Sequence, residues 1–120
     1  MPFLVSKVNI PVSPEQEQEL KARLGHAIEL VPGKSEEYLF LSVEDQCRLW
    51  LRGDCSRPKG YLTVSIFGNE NHAGYREFSA AVTDIYRDLF EIAPEDFYIK
   101  FDDITAWSVG GQHIDRRMFR

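Results

Sequence analysis

Residues 3–43 have the sequence FLVSKVNIPVSPEQEQELKARLGHAIELVPGKSEEYLFLSV, in which three patterns follow one another. Phe3–Ile10 is rich in β-forming residues and predicts a strand, which Pro11 ends. Residues 14–31 repeat apolar side chains at helical spacing. Tyr38–Val43 is a nearly continuous apolar run and predicts a second strand, buried on both sides. The segment therefore predicts a β-α-β unit.

The predicted helix has clear signals at both ends. Ser13 can cap it, Pro14 suits its first position, and Gln16 stands three residues after Ser13, as in a capping box. Pro32 and Gly33 end it. Its predicted apolar face consists of Leu20, Leu24, Ala27, Ile28 and Val31.

The second half of the chain repeats this plan. Gly60–Phe67 predicts a strand, residues 73–90 a helix, and Phe97–Phe101 another strand, and a displacement of 59 residues overlays the two sets. Two linked β-α-β units form a four-stranded sheet with both helices on one face. The sequence thus predicts a duplicated α+β fold with pseudo-repeats of about 1–59 and 60–120.

The other face of such a sheet is bare. A chain of this size cannot cover it alone, so we expect a large apolar sheet face and an oligomer. Trp107 and Val109 predict a short additional strand near the C-terminus. Edge strands of this kind often pair with a neighbouring subunit.

Composition limits the class of protein. A length of 120 residues predicts one domain, residues 1–120, and a content of 43% hydrophobic and 12% aromatic residues can close one core. The formal charge of −5 disfavours binding to nucleic acid or to an anionic membrane. No apolar run can span a bilayer, and the N-terminus lacks signal-peptide features. We therefore expect a cytoplasmic protein, with any secretion independent of a signal peptide.

Metal and cofactor motifs are missing from the sequence. Cys47 and Cys55 are the only cysteines, and their C-x7-C spacing without a histidine cluster is not a zinc pattern. We interpret them as two free thiols in preference to a disulfide. The chain has no nucleophile-elbow motif, phosphate loop or dinucleotide fingerprint. The sequence therefore predicts neither a metal nor a cofactor.

Pro2 has the most distinctive chemistry in the chain. A small second residue allows Met1 to be trimmed, and trimming leaves a secondary amine at the chain terminus. The pKa of an α-amino group is about 7.7–8.0, and burial or a nearby cation lowers it. The neutral amine is a general base that can take a proton from a carbon next to a carbonyl. Met-Pro also begins many proteins by chance, so Pro2 alone does not establish catalysis.

Lys34 lies between the first predicted helix and the second predicted strand. A lysine there can bind a substrate carboxylate and can also lower the pKa of the Pro2 amine by like-charge repulsion. The alternative is a solvated loop lysine, which is the usual environment of this residue type.

The motifs together resemble a known family. They are Met1-Pro2-Phe3-Leu4, Asn9-Ile10-Pro11, Pro32-Gly33-Lys34 with Tyr38, Phe67-Gly68, Pro94-Glu95-Asp96-Phe97-Tyr98-Ile99 and Trp107-Ser108-Val109-Gly110. Over residues 2–111 this ordered set is similar to the macrophage migration inhibitory factor (MIF) and D-dopachrome tautomerase family of the tautomerase superfamily.

The resemblance implies a homotrimer whose sheets surround a central channel, with active sites between subunits. Pro2, after removal of Met1, would be the general base in keto–enol tautomerisation of phenylpyruvate-like or dopachrome-like compounds. Lys34 would hold the substrate carboxylate, and no cofactor is implied. The pocket would also contain Phe3, Tyr38, Phe67, Val109 and, from the neighbouring subunit, Tyr98.

Two departures from the family pattern concern the pocket. Lys100 stands where the migration inhibitory factor branch has an amide side chain, so it either adds a second cation at the mouth or faces solvent. Gly111 stands where that branch has a tryptophan, which predicts the loss of an aromatic wall. The residues after Gly111 do not match the family.

Functions of different classes remain open from the sequence. The first is a tautomerase, an isomerase that requires removal of Met1 because the Pro2 nitrogen is otherwise an amide. The second is a non-catalytic, cytokine-like binding trimer, secreted without a leader and recognised by a receptor. A weaker third is dehalogenation or hydration of small unsaturated acids, whose expected arginine and carboxylate around the proline are not identifiable here.

Overall fold

The chain forms two β-α-β units whose strands join in one mixed sheet. The computed structural model describes residues 1–119; Arg120, the last residue of the arginine-rich end, lies outside them. The strands and helices are β1 (Pro2–Val8), α1 (Pro14–Ala27), β2 (Phe40–Glu44), β3 (Gly60–Phe67), α2 (Tyr75–Phe90), β4 (Phe97–Ile104), β5 (Ala106–Val109) and β6 (Gln112–Asp115). Single 3-10 turns lie at Ile28–Leu30, Glu36–Tyr38, Pro94–Asp96 and Arg116–Phe119.

The sheet has the strand order β2-β1-β3-β4. β1 pairs parallel with β2, β3 pairs parallel with β4, and the two units meet where β1 and β3 run antiparallel. A displacement of 59 residues brings the first unit onto the second, because β1 and β3, α1 and α2, and β2 and β4 then overlap. The predicted α+β architecture with a duplicated β-α-β plan is confirmed.

The helices cover one face of the sheet. Alternate residues of β1 and β3 are buried beneath them, as expected for strands with one covered face. Leu4, Leu62 and Val64 are fully buried and pack with Leu24 of α1 and Phe78 of α2. This core makes β1 one of the two central strands of the sheet.

The capping box at the start of α1 is confirmed. The Ser13 Oγ accepts a hydrogen bond from the Gln16 backbone N–H at 3.1 Å, and the Gln16 Oε1 accepts one from the Ser13 N–H at 3.0 Å. The Gln16 side chain also donates to the Leu89 carbonyl at 3.1 Å, which joins the start of α1 to the end of α2.

Replacement of Ser13 by alanine is expected to lower the free energy of unfolding by about 1 kcal/mol, because an orphan N–H of the first turn loses its acceptor. Urea unfolding followed by circular dichroism at a fixed protein concentration measures this change. Ser35 is the matched control, because it precedes a 3-10 turn but its side chain makes no capping hydrogen bond. Equal losses in S13A and S35A would contradict the role of the cap.

Three expectations about the first unit need correction. The α-helix ends at Ala27 and continues only as a 3-10 turn to Leu30, although Val31 is buried as expected. β2 begins at Phe40 because Tyr38 belongs to a 3-10 turn. β2 is also not buried on both sides within the chain: it is an edge strand, and Phe40 is 71% exposed.

The uncovered sheet face carries both apolar and polar side chains, with Val5, Tyr61 and Tyr98 among the apolar ones. Directly paired residues share a face, and the register places an apolar pair, Phe3 and Phe40, at one end of this face. The polar side chains on the same face are Lys7, Ser42, Glu44, Thr63, Ser65, Lys100 and Asp102. The alternation of the strands puts the core residues under the helices and leaves a face of mixed polarity outside.

The predicted strand at Trp107–Val109 is confirmed as part of β5. β5 and β6 form an antiparallel hairpin in which Val109 pairs with Gln112. The two intervening residues, Gly110 and Gly111, have φ of 58° and 84°, the region required by the tight turn of a two-residue hairpin loop.

Within residues 1–119, none of the helices is long and apolar enough to cross a membrane. Cys47 and Cys55 are free thiols, as the sequence predicted.

Candidate active site

The chain terminus lies at one end of a central strand of the sheet. Pro2 is buried and lies opposite Ile66 of β3. The Met1 carbonyl accepts a hydrogen bond from the Phe67 N–H at 3.5 Å. The next residue, Phe3, is paired on both sides, with Phe40 of β2 and Ser65 of β3.

The environment of the terminus favours a neutral amine. Burial, and after it the positive charge and hydrogen bonding of Lys34, lower the pKa of the Met1 amine to about 5. Both effects disfavour the ammonium form. The Met1 amine is therefore largely uncharged at neutral pH.

Lys34 is held beside the terminus by the turn that follows α1. Gly33 has a φ of 76°, a conformation that glycine adopts without strain, and the Lys34 N–H donates to the Val31 carbonyl at 3.1 Å. The Lys34 Nζ donates to the Phe67 carbonyl at 2.9 Å. The two residues singled out for chemistry, Pro2 and Lys34, are thus brought to the same end of the sheet.

One side of the terminus opens into an apolar cavity of about 530 Å³, which we call the aromatic cavity. Phe3 and Phe40 meet there edge to face, with ring centroids 5.1 Å apart. Its other lining residues include Met1, Pro2, Tyr38, Trp107 and Val109. Three predicted pocket residues, Phe3, Tyr38 and Val109, therefore lie beside Pro2.

The other side opens into a larger cavity of about 1120 Å³, which we call the cationic cavity. It contains the side chains of Lys34 and Arg116 together with Glu70. Phe67 and Met1 also line it, and Met1 lines both cavities. The terminal residue thus stands between an aromatic space and a polar space.

An aromatic cluster separates the two cavities. Phe67 stacks on Trp107 with centroids 6.2 Å apart, and Phe119 meets Phe67 edge-on at 6.1 Å. The Trp107 Nε1 is buried and has no hydrogen-bond partner among residues 1–119. Gly111 leaves its position without an aromatic side chain, as expected, but Trp107 supplies an aromatic wall to the aromatic cavity.

The motifs and the fold are matched by known proteins. The family model of the macrophage migration inhibitory factor (MIF) matches residues 1–113. The chain belongs to the MIF family. No match was found among curated protein sequences.

Solved structures share the fold of this MIF family member. MIF2 of Leishmania major is 18% identical, with a TM-score of 0.87 over 95% of this chain and 97% of that one. A MIF homologue from Prochlorococcus marinus is 21% identical, with a TM-score of 0.81 over 92% and 97%. Pt0534, solved after inactivation by 2-oxo-3-pentynoate, is 13% identical, with a TM-score of 0.82 over 98% and 99%.

Two predicted site residues of the MIF family member lie elsewhere in the single chain. Tyr98 lies near the start of β4, at the end of the sheet away from Pro2. It is 55% exposed and lines a separate cavity with Trp50 and Tyr61. Lys100 lies on the uncovered sheet face, where its Nζ is 3.9 Å from a carboxylate oxygen of Asp102. Neither reaches the Pro2 site of its own chain, so any contribution to a site requires a second copy.

Four residues near the terminus were not singled out as pocket residues from the sequence. Phe40 and Trp107 lie within recognised strands, and their alternation with neighbours was the available signal. Arg116 and Phe119 follow the last residue that matched the family pattern, so no motif pointed to them. The structure brings them to the cationic cavity by folding the C-terminal 3-10 turn back toward Phe67.

Proposed function

We propose that the chain is a keto–enol tautomerase of small aromatic 2-oxo acids or dopachrome-like compounds, with Pro2 as general base after removal of Met1. The tautomerase superfamily, which includes the MIF family, commonly has isomerase activity. The observation that carries the proposal is the environment of the chain terminus, where burial and Lys34 lower the pKa of the Met1 amine to about 5 beside an aromatic cavity. A base, a cation for a carboxylate and an apolar wall are the groups that this reaction needs.

The reaction follows from these groups. The Pro2 nitrogen takes a proton from the carbon next to the substrate ketone, and the electron pair of that C–H bond becomes the C=C bond of the enol. The electron pair of the C=O π bond moves to the oxygen, which takes a proton from water, and the hydroxide that remains takes the proton from the Pro2 nitrogen and restores the base. Lys34 binds the carboxylate and places the aromatic group toward Phe3 and Trp107. No electrons leave the substrate, so the step needs no redox cofactor.

The acid limb of the pH profile tests the state of the base. After Met1 removal, kcat/KM for phenylpyruvate is expected to rise with pH through an apparent pKa below the 7.7–8.0 of an ordinary α-amino group. The sign follows from burial and Lys34, which disfavour the cation and leave the neutral base at lower pH. An apparent pKa near 8 would contradict the proposed environment of Pro2.

We also propose a homotrimer in which Tyr98 of one subunit completes the site of its neighbour. MIF family proteins are generally oligomeric, which supports a homo-oligomer. In the single chain Phe40 is 71%, Trp50 68% and Tyr98 55% exposed, and large side chains of this kind are usually covered. Lys100 would then stand at the mouth of a neighbour's site.

Light scattering after size-exclusion chromatography is expected to give about three times the 13.9 kDa of one chain. A monomer at micromolar concentration would overturn both the trimer and the contribution of Tyr98.

We further propose that residues 1–120 are one domain and that the protein is cytoplasmic or secreted without a leader. A trimer without turnover after verified removal of Met1 would instead favour the receptor-binding function.

A further inference from the structure

We propose that Arg116 is a second anion-binding residue of the cationic cavity, and that the protein prefers 2-oxo acids with an additional carboxylate. The inference rests on the proposed function for the reaction, but not for binding. Lys34 and Arg116 line the same cavity beside the chain terminus. Two cations there match a dianionic ligand better than a monoanionic one.

Arg116 is held in place by its backbone and by its neighbour in the turn. Its N–H donates to the Thr105 carbonyl at 2.8 Å, just before β5. Three residues on, Phe119 packs edge-on against Phe67 at 6.1 Å, and the Phe67 carbonyl binds Lys34. The aromatic contact therefore connects the turn that carries Arg116 to the residue that positions Lys34.

The Arg116 guanidinium is available to a ligand. One of its nitrogens lies 3.3 Å from the Glu70 carboxylate, and both side chains are partly exposed, at 43% and 59%. An exposed pair of this kind is weak because water and salt screen it. A guanidinium has five N–H donors, so a ligand carboxylate can share Arg116 with Glu70 or displace it.

The charges and the size of the cavity fit this class of ligand. Lys34, Arg116 and Glu70 give its lining a formal charge of one positive unit. The volume of about 1120 Å³ exceeds the roughly 300–1,000 Å³ usual for small-molecule sites. A cavity of this size that both cations line has room for an acid with a second carboxylate.

Arg117 provides a matched control on the same turn. Its Nε and one terminal nitrogen bind the Asp115 carboxylate at 3.0 and 2.9 Å, and it does not line the cavity. Its side chain is 75% exposed. Replacing Arg116 or Arg117 removes the same charge from the chain, but only Arg116 faces the cationic cavity.

The test compares two unreactive acids by isothermal titration calorimetry, with Met1 removed and at low, constant salt. Cinnamate carries one carboxylate and 4-carboxycinnamate carries two. We expect 4-carboxycinnamate to bind about tenfold more tightly, as for a charge-assisted hydrogen bond. Arg116→Gln should abolish the preference while cinnamate binding stays within about twofold.

Three further variants sharpen the result. Arg117→Gln should keep the preference, and Arg116→Lys should keep part of it because the charge remains without the bidentate geometry. Glu70→Gln should increase affinity for the diacid several-fold, since it removes the competing carboxylate. Circular dichroism establishes that each variant is folded.

Equal binding of the two acids by the unaltered protein, or an undiminished preference in Arg116→Gln, would overturn the assignment. Failure of the proposed function looks different, because binding needs no proton transfer. Selective binding of the diacid without turnover of any 2-oxo acid would retain the Arg116 subsite and reject the tautomerase. Turnover of phenylpyruvate without a preference for the diacid would retain the tautomerase and reject the Arg116 subsite.

Discussion

Protein that retains Met1 is expected to turn over phenylpyruvate at least about 100-fold more slowly than the same protein with Met1 removed. With Met1 attached, the Pro2 nitrogen is an amide and has no basic lone pair. Removal of Met1 exposes a secondary amine in a place where burial and Lys34 favour the neutral form. Intact mass spectrometry establishes the state of the terminus, and initial rates give kcat/KM for each form.

Replacement of Pro2 by glycine separates the contribution of a terminal amine to activity from the contribution of the proline ring. Pro2→Gly still allows Met1 to be trimmed but leaves a mobile primary amine, and we expect it to lose most of the activity. Pro11→Gly is the matched control, because Pro11 is exposed and lies beyond the end of β1. Equal turnover by P2G and the unaltered protein would reject Pro2 as the base.

Lys34→Met is expected to lower kcat/KM for phenylpyruvate by about 10- to 100-fold, mainly through a higher KM, because the substrate carboxylate loses a charge-assisted hydrogen bond. The same change should move the acid limb of the pH profile upward, since the cation that disfavours protonation of the terminus is gone. Measurement of kcat and KM across the pH range separates the two effects.

The control is Lys21→Met. Lys21 is exposed on α1, and its replacement removes one positive charge, as Lys34→Met does. Lys34 also donates to the Phe67 carbonyl at 2.9 Å, so thermal unfolding must accompany the kinetics. A loss of activity equal in K34M and K21M, or an unchanged pH profile in K34M, would contradict the assigned role.

The main elements of the fold were predictable because their signals are local. Ser13 and Gln16 form a capping box through neighbouring backbone groups, and Gly60–Phe67 has the bounds that its residues indicated. The environment of β2 was not predictable, because the apolar run from Tyr38 to Val43 does not reveal that the strand lies at an edge. The polarity of the uncovered face likewise depends on the register between strands.

For the candidate site, the sequence by itself determined the chemical groups: an amine from Pro2, a cation from Lys34 and an ordered set of family motifs. Only the tertiary structure decided that burial and Lys34 act together on the terminus, and that Arg116 lies in the same cavity as Lys34. Local patterns depend on residues a few positions apart. The pKa of an amine and the charge of a cavity depend instead on groups that are distant in the chain and adjacent only after folding.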